Sequence, residues 1–326
     1  MAKKIVAGPA VSVIIPAYRA SADIAVALDS VFAQTFAHHE TIVVNDGSPD
    51  TEELEKALEP YRHRIHYIVQ PNRGAGAARN AGIHAAKGPL LAFLDADDRW
   101  TPDFLERQLV FLDANPTSDL VYADALLSGE SPLAGRRFMD TAPSEGPVTL
   151  LSLVQQRCNI VLSTVVVRRS VVMTAGLFDE TLRRGQDFEL WLRLAWSGAR
   201  LAYQRVVLAE RRVRADGLSG DTISEIERAL NVLDRFGRAR ILERDVRTAL
   251  RIRMMALVDQ LEIEQGKRRI VEGNFAAAQY HLSAARERPF KLRMVLLALK
   301  VAPRAVRAAY LRLRPAVSRL PLATLR

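Results

Sequence analysis

Pro89-Leu90-Leu91-Ala92-Phe93-Leu94-Asp95-Ala96-Asp97-Asp98 is the stretch on which the reading of this chain turns. Its first six residues form the continuous apolar run expected of a strand buried on both faces, as in a parallel sheet. The run ends in two carboxylates two residues apart, Asp95 and Asp97, which at the exit of a strand point the same way. That is more charge than a fold needs. The natural use of such a pair is to hold a divalent cation that in turn holds a phosphate.

Upstream of this junction, strand and helix signals alternate in the manner of βαβ units. Residues 11–15 predict a buried strand ended by Pro16. A helical apolar period (Ile24, Leu28, Val31, Phe32) follows over residues 21–34, with Ser21 as its cap. Thr41-Ile42-Val43-Val44 predicts a second strand, running into Asn45-Asp46-Gly47-Ser48. Further units follow: a helix from Asp50 or Thr51 to about 58, a strand over 65–69, a helix over 75–86 and the strand at 90–94. Downstream, Thr101-Pro102-Asp103 predicts a helix start, with a cap, a proline at the first helical position and an acid in the first turn. That helix runs to about 114, then come a strand at 119–123 and an irregular Gly/Pro/Ser-rich segment at 128–150. A strand at 160–167, an amphipathic helix at 186–197 and a strand at 202–212 complete this part. The fold class is α/β, a Rossmann-like, mostly parallel sheet flanked by helices.

After Gly220 only helix signals remain, placing a boundary between residues 1–220 and a helical region over 221–326. Residues 262–286 resemble one tetratricopeptide-type hairpin, with Gly273-Asn274-Phe275 as the turn. A single repeat cannot bury its own face, so it must dock on something else.

With 326 residues, 49% of them hydrophobic, the chain has ample material for a core. Cys158 is the only cysteine, which excludes a disulfide framework and fits a reducing, cytoplasmic compartment. The six histidines have no zinc-ligand spacing. Lys3-Lys4 before an apolar stretch superficially resembles a signal peptide. Pro9, Ser12 and Pro16 interrupt it, and no small-residue cleavage site follows cleanly. No run reaches the roughly 20 apolar residues that a membrane-spanning helix requires.

The net charge of +9 is concentrated at one end. Residues 251–326 carry 16 Lys/Arg against 5 Asp/Glu, while residues 1–250 carry 30 against 32. From Arg288 to Arg326 there are ten basic residues and no acid. Arg293, Lys300, Arg304, Arg307 and Arg314 share one helical face, and Leu292, Val295, Leu299, Val306 and Leu313 line another, with Pro303 expected to kink the helix. A basic amphipathic helix of this kind is expected on an anionic membrane surface, which for this chain would be the inner face of the cytoplasmic membrane; the alternative is a solvated basic face on a helix docked to the globular body. Nucleic acid is not the expected partner: the tail has only Phe290 and Tyr310 as aromatics and no recognition motif.

In an open parallel sheet, ligands collect at the carboxyl ends of the strands. Pro16-Ala17-Tyr18, Asp46, and Asp95 with Asp97 all fall at such ends, an edge suited to a nucleotide diphosphate. Gly74-Ala75-Gly76-Ala77-Ala78-Arg79 nearly matches the dinucleotide pattern G-x-G-x-x-G, and Asp95 lies near the distance at which that pattern expects an acid. An NAD(P)-dependent oxidoreductase is therefore the competing reading. Arg79 in place of the third glycine, on the third helix rather than the first, favours close packing of that helix with Arg79 turned toward phosphate or carboxylate. A non-catalytic sugar-nucleotide-binding scaffold is a further alternative.

Four ordered motifs, Val11 to Tyr18, Val44-Asn45-Asp46-Gly47-Ser48, Asn72 to Gly82 and Leu94 to Asp98, together resemble the family 2 inverting glycosyltransferases over roughly residues 10–220. The resemblance implies the glycosyltransferase A fold and a nucleotide-diphospho-sugar donor. It implies that Pro16, Ala17 and Tyr18 line the nucleotide, with Ala96 and Arg79 nearby, and that Asp46 hydrogen-bonds the base. Asp95 would contact ribose or metal-bound water, and Asp97 would ligate Mg²⁺ or Mn²⁺ with Asp95 beside it. Hard oxygen donors suit those ions.

Residues 184–194 resemble the family's Glu-Asp motif, with Gln186 in place of the Glu. Asp187 is accordingly the expected general base, and Asp179 and Glu180 are second choices. Arg214 and Ser219 are candidates to meet the diphosphate. The Q-x-x-R-W pattern of processive polysaccharide synthases is missing, so transfer of a single sugar to a glycan or lipid-linked acceptor is expected.

Overall fold

A computed structural model describes residues 8–130, 132–213, 222–287 and 289–317. The chain divides into two compact units, Met1–Val213 and Arg214–Arg326.

Eight strands make up the sheet of the first unit: β1 (Val11–Ala17), β2 (His39–Asp46), β3 (Ile65–Gln70), β4 (Leu90–Phe93), β5 (Arg99–Trp100), β6 (Leu120–Gly129), β7 (Val165–Arg168) and β8 (Leu201–Val213). Their order is β3-β2-β1-β4-β7-β6-β8-β5. The pairs β1/β2, β2/β3, β1/β4 and β6/β8 are parallel, and β4/β7, β6/β7 and β5/β8 antiparallel. The chain therefore builds outward from β1 to β3 and returns across β1 to β4. That reversal leaves a crevice at the carboxyl ends of β1 and β4, where Tyr18 and Asp95 emerge.

Seven helices accompany the sheet: α1 (Ile24–Phe32), α2 (Thr51–Leu58), α3 (Ala75–Ala85), α4 (Phe104–Ala114), α5 (Leu150–Val154), α6 (Arg169–Thr174) and α7 (Gln186–Trp196). The central strands are buried throughout, as their apolar runs demand, and Ile14, Ile42, Phe93, Val121 and Val166 are inaccessible to solvent. Helix α3 packs on β1 through Gly82, where an added Cβ would stand 2.6 Å from Ile14 Cγ2. This close approach is what the small-residue face of that helix serves.

Several boundaries differ from the sequence expectation. Pro16 does not end β1: the parallel ladder with β2 runs through it to Ala17, opposite Asn45. Ser21 is not a helix cap, since α1 begins at Ile24 after a turn, and Ser21 N instead donates to Asp50 Oδ2 (3.1 Å). Helix α4 starts at Phe104, with Asp103 at the cap and Thr101 Oγ1 donating to Asp103 Oδ1 (2.8 Å). The alternation at 160–167 resolves into a 3-10 turn, Leu162–Thr164, and the short strand β7. The two-residue strand β5 has no pattern long enough to read. It forms because β8 extends far enough to pair Arg99 with Glu210.

In the second unit the helices are α8 (Thr222–Arg238), α9 (Arg244–Glu272), α10 (Phe275–Ala284), α11 (Phe290–Val301) and α12 (Pro303–Val317). The α9–α10 hairpin turns at Gly273, whose φ of +81° is open to glycine at low cost, and Asn274 caps α10 by accepting from Ala277 N (3.1 Å). Pro303 opens a new helix rather than kinking one. Leu292 and Leu299, read as part of a membrane-facing stripe, are buried with Ile270, Ala278 and Leu282, and Val295 and Val306 pack against them. The side chains of Leu313 and Arg314 lie outside the described ones, as do Arg214 and Ser219. Among the described residues no helix is long and apolar enough to cross a membrane.

Candidate active site

The carboxyl ends of β1, β2 and β4 carry the predicted nucleotide residues, but in different environments. Tyr18 is exposed and leaves its ring free to stack, with the Arg19 guanidinium 5.7 Å from its centroid. Pro16 is half-buried. Ala17 and Ala96 belong to the core, so they shape the crevice floor through backbone rather than side chain.

Asp46 is buried, and its carboxylate is already engaged. Oδ1 accepts from Gln70 Nε2 (2.7 Å) and Arg73 N (3.0 Å), and Oδ2 from Gly74 N (2.7 Å). Its observed work is to hold the 71–74 loop against the end of β2. Gly47 permits this, because at φ +61° an added Cβ would stand 2.6 Å from Asn72 N. A second network ties the loop after β1 to the loop after β2: Arg19 N donates to Ser48 Oγ (2.7 Å), and Ser48 Oγ to Asp50.

After β4 the three carboxylates diverge. Asp95 is 39% exposed and accepts from Arg79 Nη2 at 2.7 Å, while Asp97 is half-buried. Asp98 is buried, accepting from Ser163 Oγ (2.5 Å) and Arg212 N (2.9 Å). Burial, with the charges of Asp95 and Asp97 adding, pushes the Asp98 carboxyl well above the ordinary carboxylate range. Ser163 is the hub here: its hydroxyl also accepts from Asp95 N (3.2 Å), and its carbonyl from Trp100 Nε1 (2.6 Å). Nothing in the pattern of the sequence singles out Ser163; only the 3-10 turn brings it beneath the acids.

Among the described residues no group of three or more His, Cys, Asp or Glu is gathered to enclose a metal ion. Asp95 and Asp97 nonetheless fit Mg²⁺ or Mn²⁺ by donor chemistry, since these ions take one or two carboxylates and complete their shell with water and phosphate oxygen.

The helix that follows the 71–74 loop joins this edge to α7. Arg79 reaches Asp95, and its neighbour Asn80 grips the segment before α7. Asn80 Nδ2 donates to Phe178 O (2.9 Å) and Glu180 Oε1 (3.0 Å), and its Oδ1 accepts from Phe178 N (2.9 Å). Arg73 pairs with Glu180 at 2.5 Å. Gly76 lets Gln186 pack closely, as a Cβ there would meet Gln186 Cγ at 3.3 Å. The first turns of α3 therefore serve as scaffold, and the third-glycine position of the dinucleotide pattern is filled by an ion-paired arginine.

Gly185, at φ +77°, turns the chain into α7. Gln186 is buried and donates to Leu182 O (2.8 Å), fixing that turn. Glu189 is buried against Arg193 Nε (2.8 and 2.9 Å), and Arg193 also donates to Ala175 O and Leu177 O. Asp179 accepts from Thr181 N (2.9 Å) and Oγ1 (2.6 Å), closing a turn. Asp187, half-buried in the first helical turn, has no hydrogen-bond or ion-pair partner among the described residues. Of the acids around the start of α7, it is the one whose carboxylate no described residue engages. Trp191 is core, and Trp196 is exposed.

Known proteins place this arrangement. The family described as "Glycosyl transferase family 2" matches residues 12–136. The putative teichuronic acid biosynthesis glycosyltransferase TuaG of Bacillus subtilis is 31% identical over 216 residues, 65% of this chain and 82% of that protein. The Escherichia coli UDP-Glc:alpha-D-GlcNAc-diphosphoundecaprenol beta-1,3-glucosyltransferase WfaP is 27% identical over 70% of this chain and 86% of its own length. Uncharacterized glycosyltransferases of Rickettsia also match; the chain spans 70% of the Rickettsia prowazekii protein and 30% of the Rickettsia bellii protein.

Among solved structures, the mannosyltransferase PcManGT of Pyrobaculum calidifontis, in complex with GDP-Man and Mn²⁺, superposes with a TM-score of 0.62 at 19% identity, covering 93% of this chain and 87% of its own. TarS 1-349 of S. aureus, in complex with UDP, gives 0.57 at 20% identity, covering 93% and 91%. The sheet order and flanking helices are those of the glycosyltransferase A fold, and with the extent of the TuaG match they establish that this chain belongs to glycosyl transferase family 2.

Proposed function

We propose that this enzyme transfers a single sugar from a nucleotide-diphospho-sugar to an acceptor hydroxyl with inversion at the anomeric carbon, in bacterial-type cell-surface glycan or glycolipid synthesis at the inner face of the cytoplasmic membrane. The acceptor is a glycan or a lipid-linked sugar. In support, WfaP is named for glucosyl transfer to a diphosphoundecaprenol-linked GlcNAc and TuaG as a putative teichuronic acid biosynthesis glycosyltransferase, and PcManGT and TarS hold nucleotide or nucleotide sugar on the same fold.

The observation that carries the reading is the bridge made by α3. Its first two turns hold Asp95 through Arg79 and pack through Gly76 on Gln186, the residue before Asp187. A donor-side carboxylate and an unpartnered acid are thus fixed to one rigid element. In the proposed step the acceptor oxygen attacks the anomeric carbon, its proton passes to the Asp187 carboxylate, and the bond to the nucleoside diphosphate breaks on the opposite side. Helix α7 supports Asp187 in the ionised state, because a carboxylate in the first turn faces the positive end of the helix dipole. Tyr18 offers its ring to the base, and Asp46 shapes the 71–74 loop beside it. Asp97, with Asp95, would hold Mg²⁺ or Mn²⁺, which when bound neutralises charge on the diphosphate leaving group.

Calorimetric titration with UDP and GDP, with and without Mn²⁺, tests the donor half. The expected result is metal-dependent binding of a nucleoside diphosphate that weakens at least about tenfold in Asp97→Ala. Binding indifferent to both the metal and that substitution would overturn the proposal.

A further inference from the structure

Helix α11 is apolar on two opposite faces. Leu292 and Leu299 are buried against α9 and α10. On the other side, Phe290 (75% exposed), Met294 (48%), Leu297 (56%) and Val301 (79%) recur at spacings of four, three and four, a single stripe facing solvent. Four large apolar side chains in one line are not the scattered singles of an ordinary surface. Lys291, Arg293 and Lys300 are exposed along its flanks.

Beside the stripe lies an open cavity of about 480 Å³, lined by Arg286, Arg293, Leu296, Leu297 and Lys300. Among the described residues its lining contains three cations and no carboxylate, although Arg286 also faces Asp259 at 3.5 Å. Leu297 belongs to both cavity and stripe, so a cationic cradle opens directly onto the apolar line.

We propose that α11 docks on an anionic lipid bilayer, with Phe290, Met294, Leu297 and Val301 inserted at the headgroup boundary and Arg286, Arg293 and Lys300 holding a lipid phosphate. The inference deepens the placement of this enzyme at a membrane surface and rests on that placement, not on the chemistry of sugar transfer. Charge selects the occupant. A second copy of the same face would bring together stretches that carry ten basic residues and no acid over 288–326. An anionic bilayer complements the cations and buries the apolar stripe at once. The face differs from the one that hydropathy alone points to, because that one is consumed by the α9–α10 hairpin.

The test is co-sedimentation of the full chain, with no sugar donor present, on phosphatidylcholine vesicles with and without phosphatidylglycerol. Binding to the anionic vesicles, lost on raising salt and absent on pure phosphatidylcholine, is the expected result. Phe290→Ser with Leu297→Ser should weaken partition at least about tenfold, and Lys300→Gln about fivefold. All three positions are exposed, so thermal melting by circular dichroism should match the parent protein. Equal partition onto both vesicle types, or unchanged partition of the variants, would overturn the proposal. So would a dimer in light scattering that Phe290→Ser with Leu297→Ser dissolves, which would assign the stripe to a second copy. Because the readout needs no donor, it can fail while the transferase reading stands.

Discussion

Arg79 reaches Asp95 across 2.7 Å, from a side chain that is 7% exposed to one that is 39% exposed. The arginine is therefore fixed by the protein interior, stacked near Phe178 with 5.6 Å from guanidinium carbon to ring centroid, and its carboxylate partner stands at the crevice. The Arg79 Nε has no hydrogen-bond partner among the described residues. A buried cation aimed at an open carboxylate orients that carboxylate and leaves it accessible from the other side.

The pair should act as a unit. Arg79→Met removes the orienting charge but keeps the stem that packs on Phe178. Its expected cost in stability is small, about 1–2 kcal/mol, because Asp95 can turn to water. Donor turnover should fall at least about tenfold, and Asp95→Ala should cause a comparable loss. A double-mutant cycle on kcat/KM decides: the combined variant should lose little more than either alone, and strictly additive losses would separate the two residues.

Asp187→Asn keeps the shape and the helix start while removing the proton acceptor. Turnover in the presence of acceptor should drop by about 10² to 10⁴. Nucleoside diphosphate affinity by calorimetry should stay within about twofold, because the proposed role of this residue is toward the acceptor hydroxyl and not the diphosphate. Unchanged turnover would remove Asp187 as the base and return Glu180 to consideration.

Much of this was legible in the sequence because the relevant signals are local. The apolar run from Leu90 into Asp95 and Asp97 encodes both a buried strand and its polar exit, and the alternating strands and helices before it fix the parallel part of the sheet. What could not be read depends on contacts far apart in the chain. Asp46 looks like a free carboxylate at a strand end, and its capture by Gln70, Arg73 and Gly74 requires knowing where the 71–74 loop returns. Ser163 becomes central only because a 3-10 turn replaces the expected strand beneath Asp95 and Asp98. In the tail, hydropathy finds an apolar stripe at 292, 295 and 299, but which of two stripes is covered depends on the hairpin it meets.

His39 offers a pH signature of the fold. Burial lowers its pKa from the ordinary value of 6.5; the bond to Phe36 O (2.9 Å) opposes this, and the Arg64 charge adds to the lowering. The unfolded chain thus binds a proton at a pH where the folded one does not. Stability should be at its full value above pH 6.5 and decline as pH falls below it toward the folded pKa. Urea midpoints measured across that range should shift for the parent protein and shift less for His39→Gln. The same acid sensitivity in both proteins would show that His39 is not the titrating group.

Asn80 is a positioning residue whose removal should separate acceptor from donor behaviour. Its side chain satisfies both the N–H and the C=O of Phe178, one residue after Arg79 secures the donor carboxylate. Asn80→Ala strands two buried backbone groups, costing about 1–3 kcal/mol, and frees the 176–185 segment that leads into α7. Asn80→Asp keeps an acceptor for Phe178 N but loses the donor and sets a second carboxylate against Glu180, so it should be the worse of the two. In Asn80→Ala, nucleoside diphosphate affinity should hold while kcat falls at least about tenfold and the acceptor KM rises. Equal losses in donor binding would mean that Asn80 only stabilises the fold, since a merely structural defect has no reason to spare the half of the site anchored by Asp95.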